Sequence, residues 1–142
     1  MGLILDSSLL IADEKGKFDL GRFLATRDEP IVIAAITASE ILQGCHRAAD
    51  AARKKKRTEY VEGALSQFQA IPFALEEARH HSRMWADLSR EGMMIGSNDL
   101  LIAATALSLG YTLATFNFDE FVRVPGLVLV EKSVLSPFLR TT

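Results

Sequence analysis

Disulfides are the first thing the chain cannot have. Cys45 is the only cysteine among 142 residues, which excludes an intramolecular disulfide framework and a thiolate cluster for structural zinc. No run approaches the roughly 18 consecutive apolar residues of a membrane span, and the first residues lack the basic and apolar regions of a signal peptide. The expectation is a soluble, cytoplasmic protein. Excess charge is missing too: 16 Lys and Arg against 18 Asp and Glu leave a net charge of −2, so the chain does not hold nucleic acid by bulk positive charge. Repeats and low-complexity segments are absent. What remains is 49% hydrophobic and 24% charged, enough to build one core, and the length fits a single domain over residues 1–142.

Gly2-Leu-Ile-Leu-Asp-Ser-Ser8 is a short apolar run that stops on a carboxylate. It reads as a strand covered on both faces that delivers Asp6 to its tip, where α/β sheets place their ligands. A short helix follows, capped by Ser7 or Ser8 and ended by Gly16, then apolar Phe18, Leu20, Phe23 and Leu24 at helical spacing. Ile31 to Ile36 is β-branched and uncharged, a second buried strand, handing over at Thr37 to a helix that carries Glu40. Residues 48–70 are rich in strong helix formers, and Ile71-Pro72-Phe73 suits an edge strand. Leu75 to Glu91 is an amphipathic helix ended by Gly92; Gly96 to Gly110 is apolar nearly all round and belongs in the core. Tyr111 to Phe116 makes a strand, Phe118 to Val122 a helical turn, and Leu127 to Val130 a final strand. This alternation predicts an α/β fold, a three-layer sandwich around a mainly parallel sheet.

The acids fall at related places. Asp6 ends the first strand, Glu40 follows the second, Asp99 lies in the first turn of the apolar helix, and Asp119 and Glu120 follow the Tyr111 strand. In a parallel sheet such junctions share one end, so these carboxylates converge. Gathered acids repel one another unless a cation joins them, and no Lys, Arg or His recurs at the junctions. Oxygen ligands without Cys or His select Mg²⁺ or Mn²⁺, whose chemistry is that of phosphate esters. Each acid also has a plainer reading. Thr37-Ala-Ser-Glu40 matches a capping box, and Asp99, Asp119 and Glu120 match first-turn acids that favour a helix dipole. Asp6 has no such duty.

Asp6-Ser7-Ser8 after a strand, Thr37-x-x-Glu40-x-x-x-Gly44, Asn98-Asp99-x-x-Ile-Ala-Ala-x-Ala, and Thr115-x-Asn117-x-x-Glu120-Phe121 followed by Val124-Pro-Gly-Leu127 resemble the PIN-domain ribonucleases, VapC-type toxins of toxin–antitoxin pairs most of all. The resemblance spans nearly the whole chain. It implies a Mg²⁺- or Mn²⁺-dependent endoribonuclease with Asp6, Glu40, Asp99 and Glu120 as the acidic quartet. In that pattern Asp6 and Asp99 are metal ligands, Glu40 orients water, and Glu120 holds a weaker second ion, with Asp119 as its alternative. Ser7, Thr115 and Asn117 become polar neighbours that position acids, water or phosphate. The resemblance further implies an RNA substrate, a VapB-type antitoxin and a homodimer.

Other features have alternatives. The run Arg53-Lys-Lys-Lys-Arg57, with Arg47, can hold RNA backbone or simply be a solvated helix surface. His80, His81, Met84 and Trp85 read as structural or partner-facing residues, and Cys45 and His46 point apart on their helix. A receiver-like phosphoacceptor would also use Asp6, Thr115 and Lys132, but it requires a second acid beside Asp6 that is not there. A housekeeping RNA-processing nuclease fits the same acids, and a non-catalytic binding module would be expected to have lost one of them.

Overall fold

The computed structural model describes residues 1–141. Its elements in order are β1 (Leu3–Leu5), α1 (Ser7–Glu14), α2 (Leu20–Ala25), β2 (Ile31–Ala34), α3 (Ala35–His46), α4 (Ala51–Gln67), β3 (Gln69–Ile71), α5 (Leu75–Glu91), α6 (Ser97–Leu109), β4 (Thr112–Ala114), α7 (Phe118–Phe121) and α8 (Lys132–Leu135), with a 3₁₀ turn at Ser136–Phe138. The four strands are all parallel, in the order β3-β2-β1-β4. Pairing in register sets Leu5 of β1 between Ile33 of β2 and Ala114 of β4, so three strands end side by side.

Strand periodicity divides the core. Leu3 and Leu5 face one layer with Leu9, Leu10, Phe18, Phe23, Ile33, Ile41, Val61 and Phe68. Ile4 faces the other with Val32, Met84, Leu88, Ile102, Ala104, Leu113 and Phe121. β1 is completely buried, as a strand apolar on both faces should be, and helices cover the sheet on both sides. Each such side chain taken from water contributes about 1.5–3 kcal/mol, which offsets the acids assembled at the sheet's end. The alanines of α6, Ala103, Ala104 and Ala106, are fully buried.

Several boundaries differ from the sequence reading. α3 begins at Ala35, directly after β2, so Thr37 lies inside the helix and not at its cap. Asp6, not a serine, holds the N-cap position of α1. The charged helix stops at Gln67, and the edge strand comes two residues early, at Gln69–Ile71, leaving Pro72 just beyond it. The segment at Leu127 to Val130 does not form a full strand: Leu113 pairs with Leu129 at a single parallel bridge, held by Leu113 N to Val128 O and Val130 N to Leu113 O, both 2.9 Å. No helix among the described residues is long and apolar enough to cross a membrane.

Candidate active site

β1 pairs with β2 on one side and β4 on the other, so the chain leaves β1 in one direction and returns to its opposite flank through β4. That reversal opens a crevice beyond the strand ends. Asp6 enters it from β1 and Thr115 from β4, both buried. Thr115 Oγ1 and Ser8 Oγ each donate to Asp6 Oδ2 over 2.7 Å. Ser8 accepts from the Phe116 amide at 3.0 Å, and Thr115 accepts from the Asn117 amide at 2.9 Å. The Asp6 carboxylate is thereby fixed by two hydroxyls that are themselves fixed. Although Asp6 occupies the N-cap of α1, its side chain caps nothing.

Glu40 comes from the second turn of α3. The capping-box explanation fails: the helix starts earlier, Thr37 Oγ1 is buried without a hydrogen-bond partner, and α3 has no side-chain cap. Asn98 Nδ2 donates to Glu40 Oε2 over 3.4 Å and the Ser7 hydroxyl lies beside the same carboxylate, while Oε1 is buried and unpartnered among the described residues. Burial raises the Glu40 pKa, and the negative charge of Asp6 adds to the rise.

Asp99 and Glu120 form the other half. Asn117 Nδ2 reaches Asp99 Oδ2 and Glu120 Oε2, each at 3.0 Å, and the two carboxyls bond one another. Their shifts run in opposite directions. Burial first, then the bond to Glu120 and the charges of Asp6, Glu120 and Glu40, push Asp99 up to about 8. The bond from Asp99 holds Glu120 low, helped by Asn117, the Gly96 amide and the charge of Arg123. The opposed shifts are those of two carboxyls that share one proton, and burial favours its place on Asp99.

The structure thus brings Asp6, Glu40, Asp99 and Glu120 together, with Ser7, Thr115 and Asn117 between them. Asp119 stands apart: its side chain is 95% exposed and faces Lys132 at 3.9 Å. A positive neighbour not expected from the sequence is Arg123, which also donates to the Met94 carbonyl at 3.1 Å. Ser8 and Asn98 are site residues that the sequence reading passes over, although each adjoins a recognised one. His81 packs edge-on against Phe73, and Cys45 is buried with Sγ 3.8 Å from the Ile41 carbonyl, both removed from the acids.

The four acids offer only oxygen ligands, and among the described residues neither Cys nor His is hydrogen-bonded to them. Among the described residues no three His, Cys, Asp or Glu side chains stand close enough to enclose an ion by themselves. Among the described residues Asp99 has no ion-pair partner and Glu40 Oε1 no hydrogen-bond partner.

Known proteins resemble this chain in sequence and in fold. The PIN domain model matches residues 3–127. Ribonuclease VapC1 of Rickettsia felis is 35% identical over 133 residues, 94% of this chain and 98% of that protein. The tRNA(fMet)-specific endonuclease VapC of Salmonella typhimurium is 32% identical over 95 residues, 67% of this chain and 70% of that protein. Among solved structures, VapBC2 of Rickettsia felis bound to a promoter DNA fragment superposes with a TM-score of 0.81 at 27% identity, covering 92% of this chain and 98% of that one. The family model spans both strands that deliver the site, and the match to VapC1 of Rickettsia felis extends over nearly all of that protein, so the chain belongs to the PIN-domain family, among its VapC-type members.

Proposed function

We propose that the protein is an endoribonuclease that hydrolyses RNA phosphodiester bonds with Mg²⁺ or Mn²⁺, the toxin of a toxin–antitoxin pair. The observation that carries this reading is the convergence of Asp6, Glu40, Asp99 and Glu120 at the strand ends, where burial and one another's negative charge raise the proton affinity of Asp99 and Glu40. An all-oxygen donor set with an orphaned Glu40 Oε1 fits a hard divalent cation. Asp6 and Asp99 would hold it, with Glu120 beside Asp99 for a weaker second ion, and when bound it supplies Lewis acidity and neutralises charge building on the phosphate.

The chain's own residues do the rest. Ser8 and Thr115 lock the rotamer of Asp6, and Asn117 fixes the spacing of Asp99 and Glu120. Glu40, with its raised proton affinity, orients the attacking water and accepts its proton. Water adds in line at phosphorus, the bond to the 3′ oxygen breaks, that oxygen takes a proton from solvent, and the products carry 5′-phosphate and 3′-hydroxyl ends. The assembly is a cytoplasmic homodimer paired with a VapB-type antitoxin. The comparison structures of VapBC complexes support the antitoxin.

Asp6→Asn and Asp99→Asn should each abolish cleavage of total RNA while leaving circular dichroism unchanged, and a chelator should abolish wild-type cleavage. Cleavage that survives either substitution, or excess chelator, refutes the assignment.

A further inference from the structure

Acids that gather a cation do not by themselves attract a polyanion, and a chain of net charge −2 has little positive charge to spare. The positive charge is distributed unevenly. A cavity of about 190 Å³ begins at Glu40 and Ile41 of α3 and continues past Gly44 to Lys15, Arg47 and Arg57. A second cavity, of about 250 Å³, is lined by Glu14, Lys15, Arg53, Lys56, Arg57 and Tyr60. The two share Glu14, Lys15, Arg57 and Tyr60, so they form one groove between α1, α3 and α4 whose inner end is a catalytic acid.

The groove carries five cations against two carboxylates, Glu14 and Glu40. Glu14 is already matched, since Arg57 Nε donates to it at 3.1 Å and Arg57 Nη1 donates to the Gly44 carbonyl at 3.1 Å. Arg57 is therefore a strut that joins α4 to α1 and α3. Arg53 leans on Asp50 at 3.6 Å at an exposed rim. Lys15, Arg47 and Lys56 are exposed, and among the described residues none has a carboxylate within 4.0 Å. Three unpaired cations strung along a groove that opens onto the site present a backbone track, while neighbouring Lys54 and Lys55 on the same helix do not line it.

We infer that Lys15, Arg47 and Lys56 bind successive phosphates of the RNA strand on one side of the scissile bond, with the α1–α3–α4 groove as the substrate channel. The inference rests on the nuclease reading above and assigns the half of the site that the acids cannot supply. The contacts are to phosphate and are indifferent to sequence, so they set affinity and position and leave base choice to other surfaces.

The test removes equal charge at two places on the Asp6→Asn background, which binds without cutting. The probe is a fluorescein-labelled mixed-sequence single-stranded RNA of about 20 nucleotides, long enough to cover a typical single-strand site. Lys15→Gln with Lys56→Gln should weaken binding about tenfold at physiological salt and flatten the slope of log affinity against log salt by about 1.4, the value for two lost single-strand phosphate contacts. Arg47→Gln alone should flatten it by about half as much. Lys54→Gln with Lys55→Gln should change affinity less than about twofold. Equal losses from the two double variants would mean bulk charge, and no loss from either would leave the groove to a protein partner; both results overturn the inference. On the Asp6 background, the groove variants should raise KM for RNA cleavage with kcat little changed. If wild type cleaves RNA and the groove variants match it in KM, the channel falls and the nuclease stands. If RNA binding follows the groove but wild type never cleaves, the nuclease reading falls and takes the substrate channel with it, leaving only an RNA-binding groove.

Discussion

Asp99 allows the acid cluster to be tested without any assay of activity. In the folded protein free of metal, burial and its acidic neighbours hold the Asp99 carboxyl up to about 8, while in the unfolded chain it titrates near its ordinary value of 3.8. The native state therefore binds the extra proton between those limits, and stability falls as pH rises through that window. Asp99 is only half buried, solvent screens the interaction, and the depressed Glu120 returns part of the cost, so the net penalty at pH 8 is about 1–3 kcal/mol. Asn at this position imitates the protonated acid: its Oδ1 accepts from Asn117 and its Nδ2 donates to Glu120. Asp99→Asn in excess chelator should then melt roughly 3–9 °C above wild type at pH 8, with the gap closing towards pH 4. Added Mg²⁺ should raise the melting temperature of wild type more than that of the variant. A variant less stable than wild type in chelator, or a gap indifferent to pH, would show Asp99 to be an ordinary first-turn acid and would refute the reasoning.

Thr115→Val keeps the volume but leaves the buried Asp6 carboxylate with one hydroxyl donor in place of two; it should cost about 1–2 kcal/mol in denaturant unfolding and lower kcat for RNA cleavage more than it raises KM. Glu77 is buried, caps α5 by accepting from the Ala74 amide at 2.9 Å, and accepts from Ser108 Oγ of α6 at 2.5 Å. Glu77→Ala should destabilise by about 2 kcal/mol by thermal melt with RNA cleavage unchanged at low temperature. Gly92 closes α5 at φ 65°, so Gly92→Ala should cost about 1 kcal/mol on the same measurement.

Order and type of the elements follow from the sequence where patterns are long. Leu75 to Glu91 occupies its predicted span because a 17-residue amphipathic repeat and a left-handed glycine leave no alternative. The short pieces are less legible. Ala34 and Ala35 fit strand and helix equally, so a capping motif at Thr37 attracts the boundary that the fold places two residues earlier. The edge strand is drawn towards Ile71-Pro72-Phe73 by its apolar character, whereas parallel pairing with β2 engages Gln69–Ile71, whose Gln69 and Ala70 are exposed. The acids can be collected from the sequence because a parallel sheet brings its strand ends to one side. Which of two adjacent acids turns inward depends on the pitch of one helical turn: Glu120 lies under Asn117 three residues back, and Asp119 turns out to Lys132.

The helix starts show how far the site departs from the requirements of folding. α2 and α4, away from the crevice, are capped by Asp19 at 3.1 Å and Asp50 at 2.8 Å. α1, α3, α6 and α7 all begin beside the acids, and none has a side-chain cap; the single turn α8 also lacks one. A cap contributes about 1 kcal/mol. At α1 the departure is clearest, since an aspartate, among the best capping residues, occupies the cap position and gives its carboxylate to Ser8 and Thr115 instead. Asp6 in its present rotamer contributes little to helix stability, and returning it to capping would turn it away from the crevice. Two hydroxyls donating to one oxygen over 2.7 Å hold it in the orientation the site uses, so the residues that look redundant beside the acids determine where those acids point.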